Sequence, residues 1–272
     1  MLGLGLLPVL NLAVLGFFDV RWADGRSSWS FVGTAHYAAL PRDALFGAAI
    51  LNTVVFAIGA VIGQMVLGFA LALLCSKATR GRVFWRALFV LPVLIPGIVI
   101  GAMWKLMLNP EFGGLAQLFE LVGLTPVDWL GEPATALLAV ILVDIWHWTP
   151  FCFLLFLAGL ESLPRDVYEA ATVDGANAWQ ELVRITLPLM WPTIVVTFVF
   201  RLVLAFKVFD EVYLLTGGGP GTATEVVSFT IYQRFFTEDR AGYGAAMAVA
   251  VIFLIFLMLA AAAAARRRVR PA

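Results

Sequence analysis

From Val54 to Leu74 the chain runs with almost no polar side chain. A helix of that length crosses the hydrocarbon core of a bilayer, which takes about 20 residues. In water it would lack the polar face that a surface helix turns to solvent, so a large soluble helical protein is excluded. Comparable apolar runs extend from Leu2 to Phe18, Phe46 to Cys75, Ala87 to Leu108, Ala134 to Leu160, Thr193 to Leu215 and Tyr243 to Ala265. Gly59, Gly63, Gly68, Pro92 and Pro96 interrupt them, which membrane helices tolerate because neighbouring helices re-satisfy the backbone. The expectation is an all-α integral membrane protein of about six transmembrane helices, one transmembrane domain over residues 1–272. The first run is short and lacks the basic residues that precede the core of a secretory signal, so it reads as a span in preference to a cleaved signal or a partial, re-entrant helix.

Overall composition agrees, at 62% hydrophobic and 13% charged residues, against roughly half apolar in soluble domains. The 18 basic and 18 acidic residues cancel, leaving no global field that would attract nucleic acid. Their placement is informative. Lys77, Arg80, Arg82 and Arg86, then Arg165 and Arg184, then Arg266, Arg267, Arg268 and Arg270 all fall on one side of the predicted spans. The other side holds Arg21, Arg26, Arg42, Arg234 and Arg240. The excess of basic residues in cytoplasmic loops predicts a multi-pass inner-membrane protein with both termini in the cytoplasm.

Several chemistries find no support. Cys75 and Cys152 lie far apart without metal-ligand spacing, and neither they nor the isolated His36 and His147 form a metal site. His36 and Asp43 read as surface groups. Lys77, Lys105 and Lys207 do not follow a glycine, as a phosphate-binding P-loop requires. The run Gly217 to Gly219, followed by Pro220 and Gly221, reads as a turn in preference to an anion nest. No cofactor and no catalytic residue is expected on this chain.

Residues 161–192 form a polar insert between two spans that still reads as helix. Pro164 suits a first helical turn, helix formers follow to Ala171, and Asp174-Gly175 breaks the run. Trp179, Leu182 and Val183 then fall at i, i+3 and i+4, predicting a second short helix with one apolar face. Two short helices with an apolar patch suit docking into a cleft of another protein.

Glu169-Ala170-Ala171, Gly175, Ile185 and Leu187-Pro188 resemble the EAA loop of binding-protein-dependent ABC importer permeases. Phe31-Val32-Gly33 with Tyr37, Asn52-Thr53, Leu91-Pro92, Trp148-Thr149-Pro150-Phe151, Phe209-Asp210 and Leu215 to Pro220 resemble the carbohydrate-uptake branch, in its maltose-transporter first-subunit type. That type usually carries a charged lead before the first helix, and this sequence departs from it there. The resemblance implies a type I importer permease fold with a cytoplasmic coupling loop formed by Glu169, Ala170, Ala171, Asp174, Gly175, Ile185, Leu187 and Pro188. It also implies as partners a second homologous permease, two ATPase subunits that hold the ATP and magnesium, and an extracytoplasmic solute-binding protein, all in membrane lipid. An ion-gradient transporter would explain the spans but not the loop.

Charges at membrane depth mark a pathway or a partner, and the candidates are Lys105, Asp144, Arg201, Lys207, Asp210 and Glu211. Lys207 and Glu211, four apart, read as a neutralising pair on one helix. Arg201 has no acid within a turn on its own helix, so it either snorkels, pairs with another chain or lines the path. Similarity to maltose-type subunits implies a solute path at His147, Trp148 and Phe151 on the fourth span and Arg201, Leu204, Ala205 and Val208 on the fifth. The last four share one stripe of a 3.6-residue helix. Leu204 stands where an acid is common in that branch, and a guanidinium at 201 would grip hydroxyls or, for a glycerol-phosphate importer, a phosphate.

Overall fold

A computed structural model of the chain describes residues 2–23, 26–77 and 82–269. Arg80 and Arg270 of the basic clusters lie outside the described residues. In chain order the elements are α1 (Leu2–Leu15), a hairpin of β1 (Phe18–Ala23) and β2 (Arg26–Phe31), α2 (Ala35–Ala39), α3 (Ala44–Lys77), α4 (Arg82–Val90), α5 (Gly97–Met107), α6 (Gly114–Leu121), α7 (Pro133–Glu161), α8 (Arg165–Val173), α9 (Ala178–Glu181), α10 (Leu187–Ala205), α11 (Asp210–Leu215), α12 (Val227–Tyr232) and α13 (Ala241–Val269). The fold is helical as expected, with the small hairpin as an addition.

Among the described residues four helices are long and apolar enough to span a membrane: Ala44–Ser76, Pro133–Glu161, Ala178–Ala205 and Ala241–Ala260. A fifth is broken, since Val83–Leu94 and Gly97–Met107 meet at 94°. The expected six is therefore four or five by length. The difference is α1, whose 14 residues reach about 21 Å at 1.5 Å per residue, short of a hydrocarbon core of about 30 Å. The break has a local cause. Pro96 disfavours a helical residue before it, and Ile95 is extended, at φ −86° and ψ 129°.

The chain forms two compact units. In the first, residues 1–55, 128–137 and 206–272, the core is Leu40, Phe46, Ala49, Val227, Tyr243, Met247 and Val251. Asp43 is not a free surface group. Its Oδ1 accepts from the amides of Leu45 and Phe46 at 3.0 and 3.1 Å, capping α3, while Oδ2 accepts from the Tyr243 hydroxyl at 2.8 Å and faces Arg234 at 3.8 Å. Burial works against its charge, but these donors outweigh it and hold the carboxyl below its ordinary range. His36 sits against Tyr243 with ring centres 5.8 Å apart.

In the second unit, residues 56–127 and 138–205, α3 and α7 run side by side in the same direction. Successive glycines of α3 show it: Gly59 faces Ile141, Gly63 faces Ile145, and Gly68 faces Cys152 and Phe153. Both helices therefore end on one side, where the 161–192 loop begins. Lipid gives no hydrophobic drive between helices, so close backbone approach at small residues supplies the packing. A Cβ at Gly68 would fall 2.7 Å from the Cys152 Cβ and 2.9 Å from the Phe153 nitrogen. Gly68→Val is expected to cost about 1–3 kcal/mol by overpacking, read as a lower Tm of the detergent-solubilised chain. Gly47→Val, with nothing within 4 Å, is the control, and equal Tm values for the two would remove the close approach.

Candidate functional site

The loop that leaves α7 is built from local rules. Pro164 sits just before α8, as its N-cap residue. At the other end the Gly175 amide donates to Thr172 O at 3.1 Å and the Ala176 amide to Ala171 O at 2.9 Å, a Schellman closure with Gly175 at φ +77°. Asn177 caps α9 through a reciprocal pair with Gln180, at 2.9 and 3.0 Å, a capping box. The second helix is not short, however. From α9 it continues through a π-helical turn, Leu182–Thr186, into α10. The turn answers Pro188, which has no N–H and whose ring would clash with the carbonyl four residues back. Tyr168 Oη meets Thr186 Oγ1 at 3.0 Å, fastening α8 to that turn.

Glu169, Ala170, Asp174, Gly175 and Pro188 are exposed, Ile185 and Leu187 half-buried, and Ala171 buried. Beside them Val167, Val173, Trp179 and Val183 are exposed apolar residues in a polar segment, with Val173 at 87% and Trp179 at 71%. Behind this surface is a cleft of about 560 Å³ between the ends of α3 and α7 and the loop, lined by Leu73, Leu74, Leu160, Tyr168, Trp179 and Leu182 among others. The Arg86–Glu161 ion pair ties α4 to the end of α7.

The membrane-depth residues assemble differently from the expected path. Arg201 is 1% exposed and pairs within the chain: its Nη2 lies 3.3 Å from Asp144 Oδ2 and its Nε donates to Gln64 Oε1 at 2.8 Å. Gln64 Nε2 in turn donates to Asp144 Oδ2 at 2.7 Å, which closes a ring of three side chains from α3, α7 and α10. The guanidinium carbon stands 4.6 Å over the Trp148 ring, a cation–π contact. The buried charges are thus matched and hydrogen-bonded, as an apolar interior requires. His147 is buried too, and its Nε2 lies 3.2 Å from Ile95 O. A carbonyl only accepts, so Nε2 donates, to a carbonyl exposed by the break at Pro96. Phe151 stacks on Phe200 at 5.4 Å.

The fifth-span stripe does not survive. Helix α10 ends at Ala205, so Val208 is off the helix that carries Arg201 and Leu204, and Lys207 and Glu211 do not share one helix. Val208 and Ala205 are buried and Leu204 half-buried. Of the other membrane-depth candidates, Lys105, Lys207 and Asp210 are exposed and Glu211 is buried. Sequence reasoning missed Gln64; its signal was a polar side chain inside a long apolar run.

In the first unit, Asn52 and Thr53 hold the glycine-rich segment. Asn52 Nδ2 donates to the carbonyls of Thr222 and Glu225 at 2.8 and 2.9 Å, and Thr53 Oγ1 accepts from the Val227 amide at 3.0 Å. Gly217 and Gly218 have φ +60° and +86°. The amides of Gly217 and Gly219 already donate to Val212 and Thr216, which makes the segment a turn and not an anion nest.

Comparison with known proteins agrees with this architecture. The family described as binding-protein-dependent transport system inner membrane component matches residues 64–271. The trehalose/maltose transport system permease protein MalF of Thermococcus litoralis is 36% identical over 222 residues, 82% of this chain and 74% of that protein. The sulfoquinovosyl glycerol transport system permease protein SmoG of Agrobacterium fabrum is 34% identical over 244 residues, covering 90% and 79%. A chain of a bacterial ABC transporter involved in the import of the acidic polysaccharide alginate superposes with a TM-score of 0.79 at 28% identity, over 89% of this chain and 85% of that one. The chain therefore belongs to the family of binding-protein-dependent transport system inner-membrane components.

Proposed function

We propose that this chain is the permease subunit of an ATP-binding-cassette importer and forms the path of a sugar or sugar-like solute through the inner membrane. The family and its sugar-transporting relatives support the class. The observation that carries the division of labour is the 161–192 loop, where four apolar side chains stand exposed around Glu169 on a capped, rigid frame. Such a surface suits a docking cleft on a separate ATPase, which would bind the ATP and magnesium and do the hydrolysis; the chain itself would be non-catalytic. A solved relative is a complex of the alginate transporter with an alginate pentasaccharide-bound periplasmic protein, which supports delivery by a binding protein here. A second, homologous permease would complete the pathway, and the excess of basic residues on one side of the spans supports a cytoplasmic loop and termini. Arg201 is engaged by Asp144, which takes away the support it lent to a phosphate-bearing solute.

The experiment is Glu169→Lys in the assembled transporter. At equal membrane levels, ATP hydrolysis stimulated by the loaded binding protein should fall at least about tenfold, the effect of a loss of roughly 1.4 kcal/mol, because the family resemblance implies a cationic site on the ATPase opposite Glu169 and a like charge there would cost several kcal/mol. Unchanged stimulated hydrolysis would sink the docking role.

A further inference from the structure

The β1–β2 hairpin has a division of faces that transport does not explain. Its register pairs Phe18 with Phe31, Val20 with Trp29, Asp19 with Ser30 and Arg21 with Ser28. Successive side chains of a strand point to opposite faces and directly paired residues share one. One face is therefore Phe18, Val20, Trp29 and Phe31, and the other Asp19, Arg21, Ser28 and Ser30. The polar face closes on itself: Arg21 pairs with Asp19 at 3.1 Å, and the hydroxyls of Ser28 and Ser30 lie 3.4 Å from the carbonyls of Arg21 and Asp19. On the aromatic face Phe18 meets Trp29 and Phe31 edge-on, with centres 5.9 and 5.4 Å apart. Trp29 and Phe31 nevertheless stay 53% and 71% exposed.

The depth of the hairpin follows from one contact. A Cβ at Gly242 would collide with the Phe18 carbonyl oxygen, so the β1 backbone lies directly on α13 at the start of the span Ala241–Ala260. Helix α1 also packs on α13 and leaves Leu6, Leu7, Leu10 and Val14 exposed. On the aromatic face Val20 is 1% exposed and packs inside the unit, so it is Trp29 and Phe31 of β2 that continue the exposed apolar surface of α1, at the level where a span ends. Tryptophan is favoured at that level, with an apolar body and a polar tip, and the Trp29 indole N–H is already held by Ser27 Oγ at 3.1 Å.

We propose that the hairpin is a membrane-interface anchor, with Phe18, Trp29 and Phe31 in the lipid headgroup layer and Asp19, Arg21, Ser28 and Ser30 facing water. It rests on the chain's being membrane-embedded and not on the solute or the ATPase. An anchor at this point would fix the depth of the outer end of α13.

The test uses the full chain in lipid vesicles, spin-labelled after Ser28→Cys, Trp29→Cys, Ser30→Cys or Phe31→Cys. Cys75 and Cys152 are buried, and the unsubstituted chain measures any background labelling. Relaxation by oxygen should exceed relaxation by a water-soluble nickel chelate at 29 and 31, and the order should reverse at 28 and 30. Equal nickel access at all four positions would mean a hairpin in water, and shielding of 29 and 31 from both reagents would mean a protein partner; either overturns the proposal. A second readout avoids cysteines: brominated lipids should quench a component of the tryptophan emission that Trp29→Phe removes, and equal quenching of both chains would count against the anchor.

Discussion

Replacing Arg201 by alanine is expected to destabilise the protein by about 3–5 kcal/mol, the cost of breaking a buried ion pair from one side. The substitution leaves Asp144, 3% exposed, without its cation and Gln64 Oε1 without its donor. Since native stability is about 5–15 kcal/mol, little folded transporter should survive solubilisation. The diagnostic is the double variant Arg201→Met with Asp144→Leu, in which no charge is stranded. It should recover most of the lost Tm, because an apolar replacement of a buried pair is often neutral. If Arg201→Ala keeps its Tm while changing uptake kinetics for different sugars, the guanidinium is a solute ligand and the three-residue ring is not its main employment.

Gly175→Pro is expected to abolish uptake while the spans remain in the membrane. Proline is locked near φ −65° and cannot take the +77° observed. It also removes the N–H that donates to Thr172. Helix α8 would lose its closure, and Glu169 and Val173 their bearing relative to Trp179. Exposed as the loop is, the stability loss should be a few kcal/mol at most. Transport and stimulated ATP hydrolysis should separate from membrane level, which an immunoblot beside the uptake assay reads directly. Gly175→Asn, which tolerates the left-handed region better than other residues, should retain part of the activity. Full activity in the proline variant would show that the bearing of α8 does not matter for coupling.

Much of this organisation is legible in the chain. The apolar runs locate α3, α7 and α13 to within a few residues, because a lipid-exposed helix needs no other code. The Asp174-Gly175 break and the helix before it follow from propensity and a φ that glycine takes cheaply, and the EAA-like run points to the family. Other features carried no readable signal. Pro92 and Pro96 were visible, but proline is tolerated within membrane helices, so a kink and a 94° break look alike in sequence. The end of α10 at Ala205 has no Gly or Pro to announce it, so periodicity extends the fifth-span stripe to Val208, which lies between helices. Asp43 stood in the place of an N-cap before an apolar run, yet its bond to Tyr243 spans 200 residues.

The legible part is local and periodic: which segments are apolar enough to enter the membrane, where α8 is capped, and which family the chain resembles. The use of the buried polar groups is set by contacts between distant segments. Gln64, Asp144 and Arg201 lie 57 to 137 residues apart along the chain, and helical periodicity gives each a face but not the neighbour that the face meets. In an apolar interior that neighbour is decisive, because an unmatched charge there is costly and a matched one is silent. The same residue, Arg201, is a solute ligand by its chemistry and a structural ion pair by its surroundings.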